Sequence, residues 1–380
     1  MGGSGAGGSG AGRRVRPARG RGTAASTVAV SVAVALVGLV AVAGCGGKGK
    51  PHAPKPGQAA LLGTYDGSTT VGQALGSLHP NGAATDAAGT TYLLNSPALT
   101  GLSATGKGKT FPTTGNLFDA TPPEGLVAMP DGSVVFGHGA EVVRLDPKSG
   151  NTSVLAGDAD RTRPYNTSAP ATATAGDVRF TQAVTPVGVT RAGAVVLVDD
   201  RALWSLSSGR LTRVAQQPVG HGKDTTFLNV GDAVAPDGTT YLRGTKSSST
   251  TLADVRVVSP QGGTTALSLP ASVPGVNGRP ADLTTTWLAS DGADGLYVHA
   301  VQLTHGNGDY VLHLHDGSAT LLLSAKPSTS AAKSGTCDVH HPVDATRFPC
   351  ALPRTLTYHA GQLTLAGEKS YVVRLPATQA

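Results

Sequence analysis

The chain has 380 residues, enough for two ordinary domains or one large all-β domain. Only 14% of residues are charged and 4% aromatic, against 52 glycines and 25 prolines, a composition suited to short strands and turns and poor in long amphipathic helices. The formal charge of +6 does not describe a nucleic-acid binder: Arg13, Arg14, Arg16, Arg19 and Arg21 stand in the first 44 residues with no acidic residue, and beyond them 25 basic residues face 24 acidic ones.

Residues 1–26 are Gly/Ser/Ala-rich and basic, and residues 27–43 (TVAVSVAVALVGLVAVA) form an unbroken small and apolar run. Positive residues, an apolar core and small residues are the three parts of a secretory signal, and the core is shorter than the roughly 20 residues of a spanning helix. The run ends Val42-Ala43-Gly44-Cys45, which resembles the lipobox of bacterial lipoproteins. That resemblance implies a lipoprotein signal peptide over 1–44 and a mature chain that begins at a diacylglycerol-modified Cys45, held on the outer face of the cytoplasmic membrane. An uncleaved signal anchor, with Cys45 incidental, is the alternative; either one exports the remainder. Arg13-Arg14 fits a twin-arginine signal poorly in its flanks. Residues 45–57, beginning CGGKGKP, read as a flexible tether whose lysines add about 1 kcal/mol each against anionic headgroups.

From residue 58 onward the chain repeats. A turn ending in Gly and followed by a β-prone run recurs six times, at Gly89, Gly132, Gly193, Gly238, Gly295 and Gly361. Short strands precede these turns (81–86, 124–129, 186–190, 231–235, 285–289, 354–358). Third strands follow (99–104, 141–147, 202–209, 254–260, 310–317, 371–376), then fourth ones (109–113, 152–157, 210–216, 263–269, 318–324). The sixth unit lacks its fourth strand, and QAALLGT (58–64) at the other end of the repeat region supplies the match. The expectation is an all-β, six-bladed β-propeller over 58–380, four antiparallel strands per blade, with the last blade closed by an N-terminal strand. Two stacked β-sandwiches would not predict this complementary phase.

The units resemble NHL repeats. The clearest stretch is 152–216: a strand ending in Ala-Gly, a polar loop with Pro-Ala-Thr and a later Phe, Pro-x-Gly-Val, a Gly turn and an Asp-terminated strand. The Asp-x-x-Asn-x-Arg usual after the second strand is absent, Asp199-Asp200-Arg201 being its nearest remnant. The resemblance implies a propeller and leaves open ligand binding, scaffolding, sensing or catalysis.

Cys337 and Cys350 enclose a loop, TCDVHHPVDATRFPC, with no core of its own. In an oxidising compartment they pair as a disulfide; a metal held by Cys337, His340, His341 and Cys350 is the competing reading, at a spacing unlike familiar zinc sites. Glu124-Gly125-Leu126 with VVRLDPKSG at 142–150 resembles the opening blade of metal-dependent lactonases of the gluconolactonase type. This implies Glu124 as a ligand and Asp199 as a catalytic residue, with Val187-Gly188, Asp232 and Thr286 at the comparable places of later blades. The plainer reading is that Glu124 caps a loop and Asp199 holds a turn. No Gly-x-Ser-x-Gly elbow, Walker A loop or His-Glu-x-x-His pair occurs.

Four histidines (His299, His305, His313, His315) gather in the fifth unit, and alternation puts His313 and His315 on one strand face. Trp204 and Trp287 read as blade packing, and Asn166-Thr167-Ser168 as a glycosylation site only in a eukaryotic route. The functional expectation is a membrane-anchored binding or scaffolding module for a protein or cell-wall glycan partner, with the insertions at 158–184 and 326–353 as contact surfaces. It needs no cofactor and binds no nucleic acid. The alternatives are a lactonase-like hydrolase using Glu124 and Asp199, and a sensor that works through a membrane partner.

Overall fold

The computed structural model describes residues 53–61, 81–95, 98–105, 108–111, 124–158, 171–180, 184–199, 202–216, 231–244, 250–303, 308–325, 337, 339, 341–367 and 371–378. Cys45, His305, His340 and Asn166 lie outside them, as does the signal segment. The first strand, β1 (Gln58–Leu61), precedes six antiparallel sheets. Blade 1 is β2 (Gly82–Thr85), β3 (Thr91–Asn95), β4 (Ala98–Leu102) and β5 (Gly108–Phe111). Blade 2 is β6 (Glu124–Ala128), β7 (Val134–His138), β8 (Glu141–Leu145) and β9 (Thr152–Gly157). Blade 3 is β10 (Thr172–Thr174), β11 (Thr185–Val189), β12 (Val195–Val198), β13 (Ala202–Ser207) and β14 (Arg210–Gln216).

Blade 4 is slight: β15 (Ala233–Val234), β16 (Thr240–Leu242), β17 (Arg256–Val258) and β18 (Thr264–Ala266). Blade 5 is the largest, with β19 (Thr284–Ser290), β20 (Leu296–Gln302), β21 (Gly308–His315) and β22 (Ser318–Ala325). Blade 6 takes β23 (Val343–Asp344), β24 (Thr355–His359), β25 (Gln362–Ala366) and β26 (Val373–Pro376), and β1 completes it. The strand order β23-β1-β26-β25-β24 seats β1 between β23 and β26, the closure expected from the repeat phase.

Local chemistry makes the strands turn where they do. In the hairpin between β6 and β7, Gly132 takes φ 83° and its N–H donates to the Met129 carbonyl at 3.0 Å. The Asp131 carboxylate accepts from the Ser133 N–H at 2.9 Å, so an Asp-Gly pair fixes both halves of the turn. The strands that follow are apolar on both faces because each blade is packed on both sides. Val134 and Phe136 face blade 1, while Val135, between them, faces blade 3. Glycine allows the backbones to meet: a Cβ at Gly137 would collide with the Val184 carbonyl at the entry to blade 3.

Six apolar clusters fill the six seams. Among the described residues the seam between blades 5 and 6 is the thickest, and that between blades 6 and 1 has Leu93, Leu102, Ala366 and Val372 as its buried cluster.

Two features depart from four strands per blade. Blades 3 and 6 carry a fifth, outer strand, β10 and β23, each followed by a 3-10 turn (Ala175–Asp177 and Ala345–Arg347) and a phenylalanine. Phe180 and Phe348 are both fully buried in inter-blade cores. Parts of the two insertions expected to face a partner are thus built into the fold, because Thr-Ala-Thr-Ala and Val-Asp-Ala pair with the outer edges of β14 and β1.

Cys337 and Cys350 are joined in a disulfide across a Cα–Cα distance of 5.7 Å, which engages both sulfurs and leaves neither as a thiolate for metal. His341, between them, is exposed. The bridge clamps the connection that carries Phe348 and Leu352 into the core. Replacing both cysteines with alanine is expected to lower unfolding stability by about 3 kcal/mol, by the entropy returned to the unfolded chain. A urea midpoint equal to that of the parent would refute this.

Candidate functional site

The two faces of the ring differ. Five of the six hairpins between first and second strands are five residues long (86–90, 129–133, 190–194, 235–239, 291–295). The connections entering each blade are far longer: 62–81, 112–123, 158–184, 217–232, 267–283 and 326–354. Antiparallel order puts all the long connections at the opposite end from the hairpins, at the start of the inner strands. Loops on a rigid scaffold are where binding groups collect.

The channel between the inner strands holds a cavity of about 250 Å³. Its wall is made of mostly small residues of the inner strands, Thr85, Ser290 and Thr357 among them, with Asp232, Trp287 and Tyr358 as its larger members. Ionisable groups gather at the long-loop mouth. Glu124, the first residue of β6, is largely buried, and among the described residues its polar partner is the Thr185 hydroxyl, which donates to Oε2 at 3.4 Å. Burial pushes its carboxyl above the usual range, and the Thr185 bond offsets this only in part. Next to it in the sheet, His138 Nε2 is buried without a hydrogen-bond partner among the described residues.

Across the mouth, Asp232 precedes β15 and Arg243 follows β16; both are buried. Asp232 Oδ1 accepts from the Arg243 backbone N–H at 2.8 Å and lies 3.6 Å from Nε. Burial pushes the Asp232 carboxyl up to about 7 despite the guanidinium beside it, and the same burial lowers the pKa of Arg243. Arg243 Nη1 reaches into blade 5 and donates to the Thr286 carbonyl at 2.6 Å. There a second array begins: Thr286 Oγ1 lies 2.6 Å from His299 Nδ1, and His299 Nε2 lies 2.6 Å from Asp309 Oδ1. The remaining Asp309 oxygen accepts from the Leu352 N–H at 3.1 Å.

A bulge aims Thr286. Thr285 pairs with Ala300 and Trp287 with His299, so Thr286 is an extra residue facing no partner strand position. Similar irregularities follow Glu124 in β6 and Pro186 in β11.

Asp199, the other half of the lactonase-like pair, ends up in a structural role. Its carboxylate accepts from the Ala202 N–H at 2.6 Å and from Trp204 Nε1 at 3.2 Å, and it is 4% exposed. Trp204 in turn packs edge-on to Phe180. A divalent cation shared by Glu124 and Asp199 does not fit this arrangement: one carboxylate is engaged by its own turn and Val187-Gly188 offers no side-chain donor. Among the described residues, a group of three metal-type donors forms only at Asp291, Asp294 and His315, on the hairpin face of blade 5. His313 stands on the same strand face as His315, as alternation required, and bonds Asp291 at 3.0 Å while stacking on Tyr297.

Of the residues at the mouth, Glu124, Asp232, Thr286 and His299 were visible in the sequence as single points. Their grouping was not, and neither Arg243 nor Asp309 carried any signal.

Six four- or five-stranded antiparallel blades around a channel define a six-bladed β-propeller. No family profile matches the chain, and no curated protein matches it. Solved structures do. A protein of unknown function from Bacteroides thetaiotaomicron superposes with a TM-score of 0.54 at 11% identity, over 84% of this chain and 75% of that one. A gluconolactonase from Xanthomonas campestris gives a TM-score of 0.48 at 17% identity, over 86% and 97%. Virginiamycin B lyase from Staphylococcus aureus gives 0.42 at 9%, over 78% and 94%. At these identities the likeness establishes the propeller fold alone.

Proposed function

We propose that this protein is a lipid-anchored, extracytoplasmic propeller that binds a cell-envelope partner, protein or glycan, at the long-loop mouth of its channel. The asymmetry of the faces carries this reading: one end of the ring is tight hairpins, and the other joins long connections to a collar of buried polar groups. Cys45 supplies the anchor and residues 46–57 the reach. Two measurements on the full chain test it. Intact mass of detergent-purified protein is expected to begin at an acylated Cys45 and to lie two hydrogens below the reduced mass. Purified peptidoglycan sacculi are expected to pellet the parent but not a variant whose residues 159–170 and 326–336 are replaced by Gly-Ser linkers. Equal pelleting of the two would remove the long-loop face from the reading.

A second reading, hydrolysis at the same mouth, is favoured by Glu124, a desolvated carboxyl with a raised pKa just ahead of Gly125 and Leu126, which line the channel. E124Q is expected to cut turnover of small lactones and esters by about a hundredfold. Ca²⁺, Zn²⁺ or Mn²⁺ is expected to leave the melting temperature unchanged, since a bound ion would raise it. A metal-dependent rise would restore the cation to this site.

A further inference from the structure

We propose that Thr286 is a nucleophilic hydroxyl, activated by His299 and positioned to accept an acyl or phosphoryl group. This rests on the hydrolytic reading of the long-loop mouth and goes beyond it in naming the attacking atom and the electrophile class. The geometry is that of hydroxyl, imidazole and carboxylate in series, with both links at 2.6 Å. Such arrays are known by geometry and roles, not by chain order.

The proton positions follow from the partners. Asp309 accepts from Nε2–H of His299, which leaves the Nδ1 lone pair toward Thr286 Oγ1. Two carbonyls compete for these protons: that of Arg354, 3.2 Å from Nδ1, accepts only from a protonated Nδ1, and that of His299 itself accepts from the Thr286 hydroxyl at 3.2 Å. For attack the hydroxyl turns from the His299 carbonyl to the 2.6 Å contact with Nδ1, which then takes its proton. His299 is 1% exposed, whereas Thr286 is only partly buried. The inner-strand bulge, which recurs in β6 and β11, here adds Thr286 to the ladder and sets its hydroxyl against the imidazole. Arg243, bonded to the Thr286 carbonyl, puts a cation beside the place where negative charge would develop on an attacked electrophile.

Thr286 Oγ1 bonds to the carbonyl carbon of an ester while its proton passes to His299 Nδ1. The carbon–oxygen bond to the alcohol breaks, and the alcohol leaves with that proton. Water then cleaves the acyl-threonine to the free acid and restores the hydroxyl. Asp309 touches neither substrate nor the reacting atoms and is a positioning residue. Among the described residues the charged groups around the imidazole are Asp309 on β21 and Arg243 with Asp232 from blade 4, and the Tyr371 phenol lies near Asp309.

Diisopropyl fluorophosphate on the full chain tests this without any natural substrate: the Oγ–P bond forms, the P–F bond breaks and fluoride leaves. Intact mass and peptide mapping are expected to show one diisopropylphosphoryl group per chain, on Thr286. Thr286→Val, which keeps the shape, is expected to abolish labelling; Thr286→Ser, which keeps the hydroxyl, is expected to retain it. His299→Gln is expected to slow labelling by about a hundredfold. Asp309→Asn is expected to slow it and to displace its pH dependence, which a merely structural role would not do. Melting curves show which variants are folded, and Thr286→Ser guards against loss of fold in the others. Absence of label on Thr286 in the parent, or labelling of folded His299→Gln at the parent rate, would overturn the proposal. If ester turnover persisted without that label, the hydrolytic reading would survive and the Thr286 assignment would not.

Discussion

A chain that begins at residue 62 is expected not to hold a stable fold, whereas one that begins at residue 53 is expected to unfold at the same urea concentration as the full chain. The difference between them is β1 with its short lead-in. Ala60 and Leu61 pair with Arg374 and Val373 of β26 on one side, and Gln58 and Ala59 with Asp344 and Val343 of β23 on the other. Ala59, Ala60 and Leu61 are buried, and the Gly57 carbonyl accepts from the Ala345 N–H at 2.9 Å. Removing β1 therefore opens two strand edges and detaches the outer strand at once. At about 1 kcal/mol per backbone hydrogen bond, with roughly 2 kcal/mol for Leu61 and less for each alanine, the loss is on the order of 5 kcal/mol or more. That rivals the whole stability of an ordinary domain. The damage also falls beside the seam where, among the described residues, Leu93, Leu102, Ala366 and Val372 join blade 6 to blade 1. Circular dichroism in urea reads the result; a shortened chain with an unchanged midpoint would mean that β26 does not need its partner.

Asp232→Ala is expected to cost about 3–5 kcal/mol at pH 8, the usual result of leaving one member of a buried ion pair alone. Arg243 would keep its bond to the Thr286 carbonyl but lose both the carboxylate beside Nε and the acceptor of its backbone N–H. The parent carries a second signature. The Asp232 carboxyl sits at about 7 in the folded protein, against about 3.9 in an unfolded chain. Between those values the folded state holds a proton that the unfolded state has released, so stability falls as pH rises from 4 to 7. The slope from this group reaches at most about 1.4 kcal/mol per pH unit. Asp232→Asn is expected to remove that component while keeping an acceptor for the Arg243 N–H. Urea midpoints across this pH range, parent against Asp232→Asn, check the sign; parallel curves would show that Asp232 does not take up the proton.

The blades were legible because propeller strands obey short-range rules. A Gly at each hairpin, β-branched runs on either side and a missing fourth strand matched by residues 58–64 were enough to give the ring, its phase and its closure. Inner strands fell within two residues of their expected positions in all six blades. The outer strands β10 and β23 were not legible: Thr172–Thr174 and Val343–Asp344 are too short and polar to announce themselves, and pair only because an edge is waiting. The mouth was harder still. Which way Thr286 points depends on a bulge, which depends on the register against β20, and no local pattern encodes it. Asp199 was visible as a strand-ending aspartate, but its bond to Trp204 lies five residues on, in a hairpin that either a structural or a catalytic role would have required.

The closure by β1 also orders events in time. A ribosome releases residues 58–61 more than 300 residues before residues 373–376. The first strand to emerge is therefore among the last to find its place, and until then the growing chain carries an unmatched apolar strand at one end and an unclosed stack of blades at the other. Contacts of such long sequence separation are slow to form and leave strand edges open to wrong partners. Neighbouring blades can pack on each other as they appear, but the ring as a whole cannot close before its last strand arrives.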